Sequence, residues 1–477
     1  MRQTASAFII MLFAIDCTAN AADNSPDPAF GDNGTVIIEP GPNEELNAQF
    51  NVALLHDSFV HVINEIERDG KFISRVTRFD KYGSIDLTFG TGGHAELNGL
   101  DGFYDEYTWR NGLFDGDGTL YLVGDAKIGQ NYDMLVCRLA STGAFDLGWG
   151  GIGTGCTTVA FDLVPLGADR GFTLALQANG RLVVAGSARS DGGFVHAAVA
   201  RLNAVGVIDA SFNAGTGKTT AELPNFWLSF SPAAIALDSQ QRIVVAGTAQ
   251  DPDPNFNLNA CDEDYAVTRL LPDGSTDLAF GVRTVSWDMG PIIDDCAQTK
   301  DSVVSGGLSV YPNDAMLLVG DAQFAEFGRA IAAVKLTKDG ELDPTFSGDG
   351  KLVRYVCDVC NYSYVTSSKV QEDGKIVVAG AVSTEGAYYD VFVARMLPDG
   401  SADGAFDGGG AVYFDYSFDG KETDDSPGII DVDLGRIVVP GAAATLEVNP
   451  EVRLFVTALG ETAGEPEIPI FSDGFEE

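Results

Sequence analysis

Residues 369–410 read KVQEDGKIVVAGAVSTEGAYYDVFVARMLPDGSADGAFDGGG. An Asp-Gly turn signal leads into the apolar run IVVAG (376–380), and a second run, FVARM (392–396), carries a cation near its end. A further turn then gives Asp403-x-x-Phe406 and a run of glycines. Short apolar runs bounded by Asn-Gly or Asp-Gly read as antiparallel strands joined by hairpins. Working outward, the same three features recur in the same order along most of the chain. The D-x-x-(F/W) element starts at Asp27, Asp86, Asp146, Asp209, Asp277, Asp343 and Asp403, at intervals of 59, 60, 63, 68, 66 and 60 residues. The run closing on Gly recurs as DGTLYLVG (117–124), NGRLVVAG (179–186), QRIVVAG (241–247), DAMLLVG (314–320) and GRIVVPG (435–441). The cation-bearing run recurs as LVCRL (135–139), AVARL (198–202), AVTRL (266–270) and AAVKL (332–336).

Each unit therefore reads as four strands. Strand A resembles FTLALQ (172–177) or AAIALD (233–238), B is the VVAG run, C is the VARL run, and D follows D-x-x-F, as in TVII (35–38). Four antiparallel strands repeated every 60 or so residues suit propeller blades, which close radially and leave few free edges. The last unit has an A (428–434), a B (435–441) and a C (452–459), but no D-x-x-F follows it. The first such element, Asp27–Phe30 with its strand 35–38, is free to supply the missing strand D. The expected fold is thus all-β: a seven-bladed β-propeller over 22–460, its ring closed by the N-terminal strand. Blade 1 is degenerate, with FVHVINEI (59–66) standing for B and VTRF (76–79) for C.

These residues also carry a family resemblance. The pattern VVAG…ARL-x-DGS-x-D-x-x-FG-x-GG is similar to the delta-60 repeat, a bacterial, exported β-propeller family without an assigned activity. KVQEDGKIVVAG (369–380) with VARMLPDGSADGAFDGGG (393–410) resembles it most, followed by LALQANGRLVVAG (174–186) with VARLNAVGVIDASFNAG (199–215). The resemblance spans about residues 25–460; the departures are blade 1, Trp149 in place of Phe, and two long insertions at blade 4. It implies a fold and carries over no catalytic residues.

Composition narrows the partners. With 29 Lys+Arg against 69 Asp+Glu the formal charge is −40. Such a chain lacks the clustered cations that nucleic acid requires, and an anionic membrane surface repels it. Arg2, the apolar stretch 5–15 and Ala19-Asn20-Ala21 read as a secretory signal over 1–21, so the protein is expected to be exported to the periplasm or beyond, without membrane insertion. Beyond 460 lies an acidic tail, 461–477. Six cysteines remain after the signal, and an even number in an exported chain favours disulfides. Cys137 and Cys156 fall on adjacent strands of blade 2, Cys261 and Cys296 on two loops of one face, and Cys357 and Cys360 form a C-x-x-C. A zinc reading of that last pair lacks two further ligands nearby.

Two groups of acids are candidate sites. The long loop 251–264 and the link 287–301 place Asp251, Asp253, Asp262, Asp264, Asp294 and Asp295 on one face as candidate ligand-binding residues. Asp115 and Asp117 in FDGDGTL have a calcium-turn spacing, so Ca2+ is the one cofactor the sequence offers. Otherwise the acids serve as a solubilising surface. Four scattered His and the absence of nucleophile-elbow, zincin, P-loop or dinucleotide motifs argue against catalysis, and no catalytic residue is assigned. The function expected is a monomeric, non-catalytic scaffold binding a protein or glycan partner through one loop face. The alternatives are a polysaccharide-acting propeller hydrolase or lyase, and a purely structural envelope protein.

Overall fold

The computed structural model describes residues 26–460, apart from 49–50, 99, 101, 152, 222–228, 252–261, 288–300, 325–327, 357–361, 384–387, 419, 434 and 448–449. It is a seven-bladed β-propeller. Blades 2, 3 and 4 are four-stranded antiparallel sheets whose strands A to D follow chain order. In blade 3 these are Asp169–Leu176, Leu182–Arg189, Val195–Leu202 and Lys218–Ala221. A single bridge between Ser305 and Ser367 joins blades 5 and 6 into one continuous sheet. The ring closes as the repeat pattern requires: Thr35–Ile38 pairs antiparallel with Val452–Leu459, so the N-terminal segment is strand D of blade 7.

The innermost strand is irregular in every blade, and this explains the glycine that ends each VVAG run. In blade 3 the A–B register shifts between Gly171 and Thr173, opposite Gly186. A Cβ on Gly186 would fall on the carbonyl oxygen of Arg170, and Gly124, Gly247 and Gly380 face Thr108, Ser231 and Tyr364 in the same way. Only glycine admits that approach. In blades 1 and 7 the shift widens to a break: strand A is split into Glu44–Leu46 with Val52–His56, and into Thr423–Pro427 with Asp431–Asp433.

The apolar cores lie between blades. Seven buried clusters each draw on two neighbouring blades, for example Val136, Trp149 and Leu182 between blades 2 and 3. A polar latch sits above each cluster on the face of the A–B and C–D turns. All seven D-x-x-(F/W) aspartates accept the amide of the residue two positions on, at 2.9–3.2 Å, as Asp209 does from Ser211. Their other oxygen takes the strand C cation: Arg78–Asp86 at 2.7 Å, Arg201–Asp209 at 2.8 Å, Arg269–Asp277 at 2.9 Å and Arg395–Asp403 at 2.7 Å. The same guanidinium lies over the buried aromatic of the motif, 4.7 Å for Arg201 on Phe212. It then donates to a turn carbonyl of the next blade, as Arg269 does to Lys338 at 2.7 Å. In blade 7 the cation position of strand C is Ala458, and Arg436 from strand B replaces it, 3.5 Å from Asp27 and over Phe30.

The pairing expected for the first two cysteines is present. Cys137 and Cys156 are register partners on strands C and D of blade 2 and form a disulfide. Cys261, Cys296, Cys357 and Cys360 lie outside the described residues.

Candidate functional site

The two faces of the ring differ in their chemistry. On the turn face, short uniform turns hold their own acids. Asp209 is held below the usual carboxylate range: burial opposes this, but the Ser211 hydrogen bonds and Arg201 outweigh it. Asp146 is held low by Arg138, and Asp343 by Thr345. The opposite face carries the B–C loops and D–A links, which vary in length and composition. Three buried acids of this face move the other way. Burial pushes Asp321 up to about 6, and burial with Asp415 and Asp390 nearby pushes Asp425 up to about 6. Asp169 is likewise raised to about 6, by burial above all and by the charges of Asp133 and Asp162, against two amide hydrogen bonds. Asp407, beside the Phe406 turn, is an exception on the first face, raised by burial.

A cavity of about 600 Å³ in the central channel is lined from six blades by residues such as Asn51, Arg110, Phe172, Pro232, Thr366 and Pro427. Arg110 is the one charged residue among its described lining, and Asp125 holds it at 2.8 Å. A larger groove of about 990 Å³ runs between the outer strands of blades 7 and 1. Its charges are mutually paired, with Arg68 on Glu96 at 2.6 Å and Arg75 on Glu44 at 3.2 Å.

The candidate acids of the sequence are described in part. Asp115 closes its A–B hairpin by accepting the amides of Asp117 and Thr119 at 3.0 and 2.9 Å, while Asp117 points to solvent. Asp251 and Asp262 are register partners across strands B and C of blade 4, and Asp264 is buried two residues on. Asp253, Asp294 and Asp295 lie outside the described residues. Among the described residues, carboxylates converge in threes at two other places: Asp133, Asp162 and Asp169, and Asp390, Asp415 and Asp425. Within each group the oxygens lie within 4.8 Å of one another.

Both triads have the same construction. The first acid stands five residues before the strand C arginine (Asp133 before Arg138, Asp390 before Arg395). The second ends a V-x-F-D stretch leaving strand D (159–162 and 412–415), and the third opens or sits in strand A of the next blade. Sequence reasoning missed both. The sequence signal is a repeat within the repeat, complete in blades 2 and 6 and echoed in blade 4 by Asp264 and VSWD (285–288).

Comparison with known proteins bears on the fold. Residues 177–212 and 371–406 match the family model described as domain of unknown function (DUF5122) beta-propeller. The chain is a β-propeller. Each matched stretch runs from an A–B turn through strands B and C to the D-x-x-F aromatic, in blades 3 and 6, and is similar to that family's repeat. No curated protein matches the sequence. Among solved structures, the neuraminidase-like protein of a flat-faced bat isolate from Peru is 8% identical, with a TM-score of 0.38 over 93% of this chain and 99% of that one. A levansucrase mutant of B. megaterium is 9% identical, with a TM-score of 0.34 over 61% and 85%. A post-proline cleaving enzyme from Rickettsia typhi is 8% identical, with a TM-score of 0.41 over 86% of this chain and 53% of that chain. At this distance the likenesses transfer no activity to this chain.

The raised acids set a pH dependence. In Asp169, Asp321 and Asp425 the folded state holds a proton up to about pH 6, above the ordinary aspartate value. Their contribution is therefore fully present below about pH 4 and is lost as pH rises through about 6. The turn-face acids such as Asp209 and Asp146 have the opposite sign, losing stability as pH falls below the ordinary carboxylate range. Buried His61, pushed down to about 3 by burial, works against the raised aspartates, since the unfolded chain binds its proton below about pH 6.5. Three aspartates nevertheless lose more between pH 5 and 7.5 than one histidine regains. Thermal melts are expected to give a higher Tm at pH 5 than at pH 7.5 in chelator, and a Tm climbing steadily from pH 5 to 7.5 would contradict this assignment.

Proposed function

We propose that this propeller is an exported, monomeric, non-catalytic scaffold that engages a protein or glycan partner through the face of its B–C loops and D–A links. The contrast between the two faces carries this reading. The turn face spends its charges on holding blade to blade, while the opposite face carries, besides the cross-blade ties Asp125–Arg170 and Asp321–Val365, further acids on loops that differ from blade to blade. Loops that vary on a rigid frame are where recognition concentrates. The channel supports the same reading, since among the described residues its lining has no His, Cys or carboxylate. The Cys137–Cys156 disulfide fits an oxidising compartment, and no helix among the described residues is long and apolar enough to cross a membrane.

The test pairs binding with turnover. Labelled protein on a glycan array, and as bait for exported proteins, should retain a partner, and variants at loop-face acids should weaken that binding. The same glycans should emerge uncleaved after prolonged incubation. Cleavage abolished by a single Asp→Asn change would replace the scaffold reading with a hydrolase or lyase.

A further inference from the structure

The loop face carries one place where the protein's own groups leave a binding demand unmet. Strands C and D of blade 2 are Asn131–Leu139 and Cys156–Val159, fixed by the disulfide between them. Their ladder ends at Met134 and Val159, which puts Asp133 beside the chain as it leaves strand D. That chain then turns through Asp162 and enters strand A of blade 3 at Asp169. Asp169 is 0% exposed. One of its oxygens accepts the amides of Phe161 and Asp162 at 2.5 and 3.1 Å, while the other, Oδ1, is buried with no hydrogen-bond partner. Asn131 repeats the situation: its amide donates to Asp133 at 3.0 Å, and its own Oδ1 is buried without a partner.

A buried carboxylate oxygen without a donor is costly, and two further carboxylates within 4.8 Å deepen the cost. Protein cations relieve it only in part, through the charge of Lys218 near Asp133. Among the described residues no Arg or Lys ion-pairs with any of the three acids. The ammonium of Lys218 donates to the carbonyl of Ala160 and lies over Phe161, and the guanidinium of Arg170 is held by Asp125 at 2.8 Å. The group that suits clustered, oxygen-only ligands on a link between two blades is a hard cation.

We propose that Asp133, Asp162 and Asp169 bind a single Ca2+ at the junction of blades 2 and 3, with the amide oxygen of Asn131 beside them. Ca2+ accepts six to eight oxygens in flexible geometry, which a link and two strand ends can supply with water; Mg2+ demands a tighter octahedron. The second triad sharpens the assignment. Asp425 has both oxygens engaged, by the Thr423 hydroxyl at 2.7 Å and the Tyr416 amide at 2.8 Å, so it leaves no orphan to satisfy. The blade 4 counterpart of the pattern, Asp264 with Asp288 in VSWD, includes a residue outside the described structure, and no site is assigned there. This inference stands apart from the partner reading, since an ion can bind here whether or not a partner does.

The experiment uses the full chain, stripped with EDTA, and titrates CaCl2 by calorimetry alongside thermal melts. Saturable uptake and a matching rise in Tm are expected. The Asp169→Asn and Asp162→Asn variants should lose at least tenfold in affinity, with Asp425→Asn unchanged. Asp162 is exposed, so its variant tests the site even if the buried one fails to fold. The proposal fails if the native chain shows neither heat nor a Tm shift with CaCl2. It also fails if Asp162→Asn binds Ca2+ as tightly as the native chain.

Discussion

A chain lacking residues 26–38 should lose more stability than any single substitution can remove. Those residues bury Phe30 and Ile38, at 0% and 8% exposure, between blades 7 and 1. Each such side chain contributes roughly 1.5–3 kcal/mol. The same segment pairs four residues with Val452–Leu459 and gives Asp27 to Arg436. Its removal leaves that guanidinium without its carboxylate and bares the edge of an apolar strand, VRLFVTAL, which is a template for aggregation. A loss of at least about 5 kcal/mol follows from the two side chains and the broken ion pair together. In practice the truncated chain should melt far lower and associate on size exclusion. A synthetic peptide covering 26–40, added in trans, should restore part of the Tm by re-forming the strand. An unaltered melt in the truncated chain would mean that the ring does not depend on this closure.

The second large effect belongs to the latch between blades. Asp209→Ala removes a carboxylate that accepts Arg201 at 2.8 Å and caps its own turn through Ser211 at 2.9 Å. Arg201 is 3% exposed and cannot turn to water without dragging Phe212 from beneath it. Breaking a buried pair from one side leaves an uncompensated charge and costs about 3–5 kcal/mol. Denaturant melts should show that loss. The exposed pair Lys338–Asp339 provides the contrast: it is solvent-screened, and its Asp339→Ala variant should change little. If Asp209→Ala proved as mild, the recurring Asp–Arg–Phe set would be ornament on a ring held by apolar packing alone.

The fold was legible because its determinants are local and repeated. Asp-x-x-Phe, the VVAG run and the VARL run each encode one turn or strand, and seven spaced copies left one architecture. Closure by Thr35–Ile38 followed from counting which unit lacked its strand D. The candidate site was harder to read because its three acids belong to different strands of two blades. Asp133 is a strand residue amid an apolar run, Asp162 sits in a link, and Asp169 opens the next blade. Nothing in the sequence tells which of 69 acids are buried without a donor. Asp115 and Asp117 had the spacing of a calcium turn, yet Asp115 spends an oxygen on backbone amides, as Asp80 and Asp238 do in other turns. Spacing within one loop reports turn geometry; convergence across blades needs the ring.

The latch is written so that each unit carries a plug and a socket. Its Asp, cation and aromatic reach forward, and the next unit answers with a turn whose glycine leaves room for the ring: Gly274 over Phe212, Gly340 over Phe280, Gly400 over Phe346. Any copy can therefore mate with any other, much as identical couplings let carriages be reordered. A gene encoding such units can duplicate, shuffle or replace one without redesigning its neighbours, as expected where stability is a sum over adjacent repeats. The junction at blade 7 escapes this interchange, because there the Asp and the aromatic come from the other end of the chain, and Arg436, at the position where Arg181 and Lys375 only assist, stands in for the strand C cation.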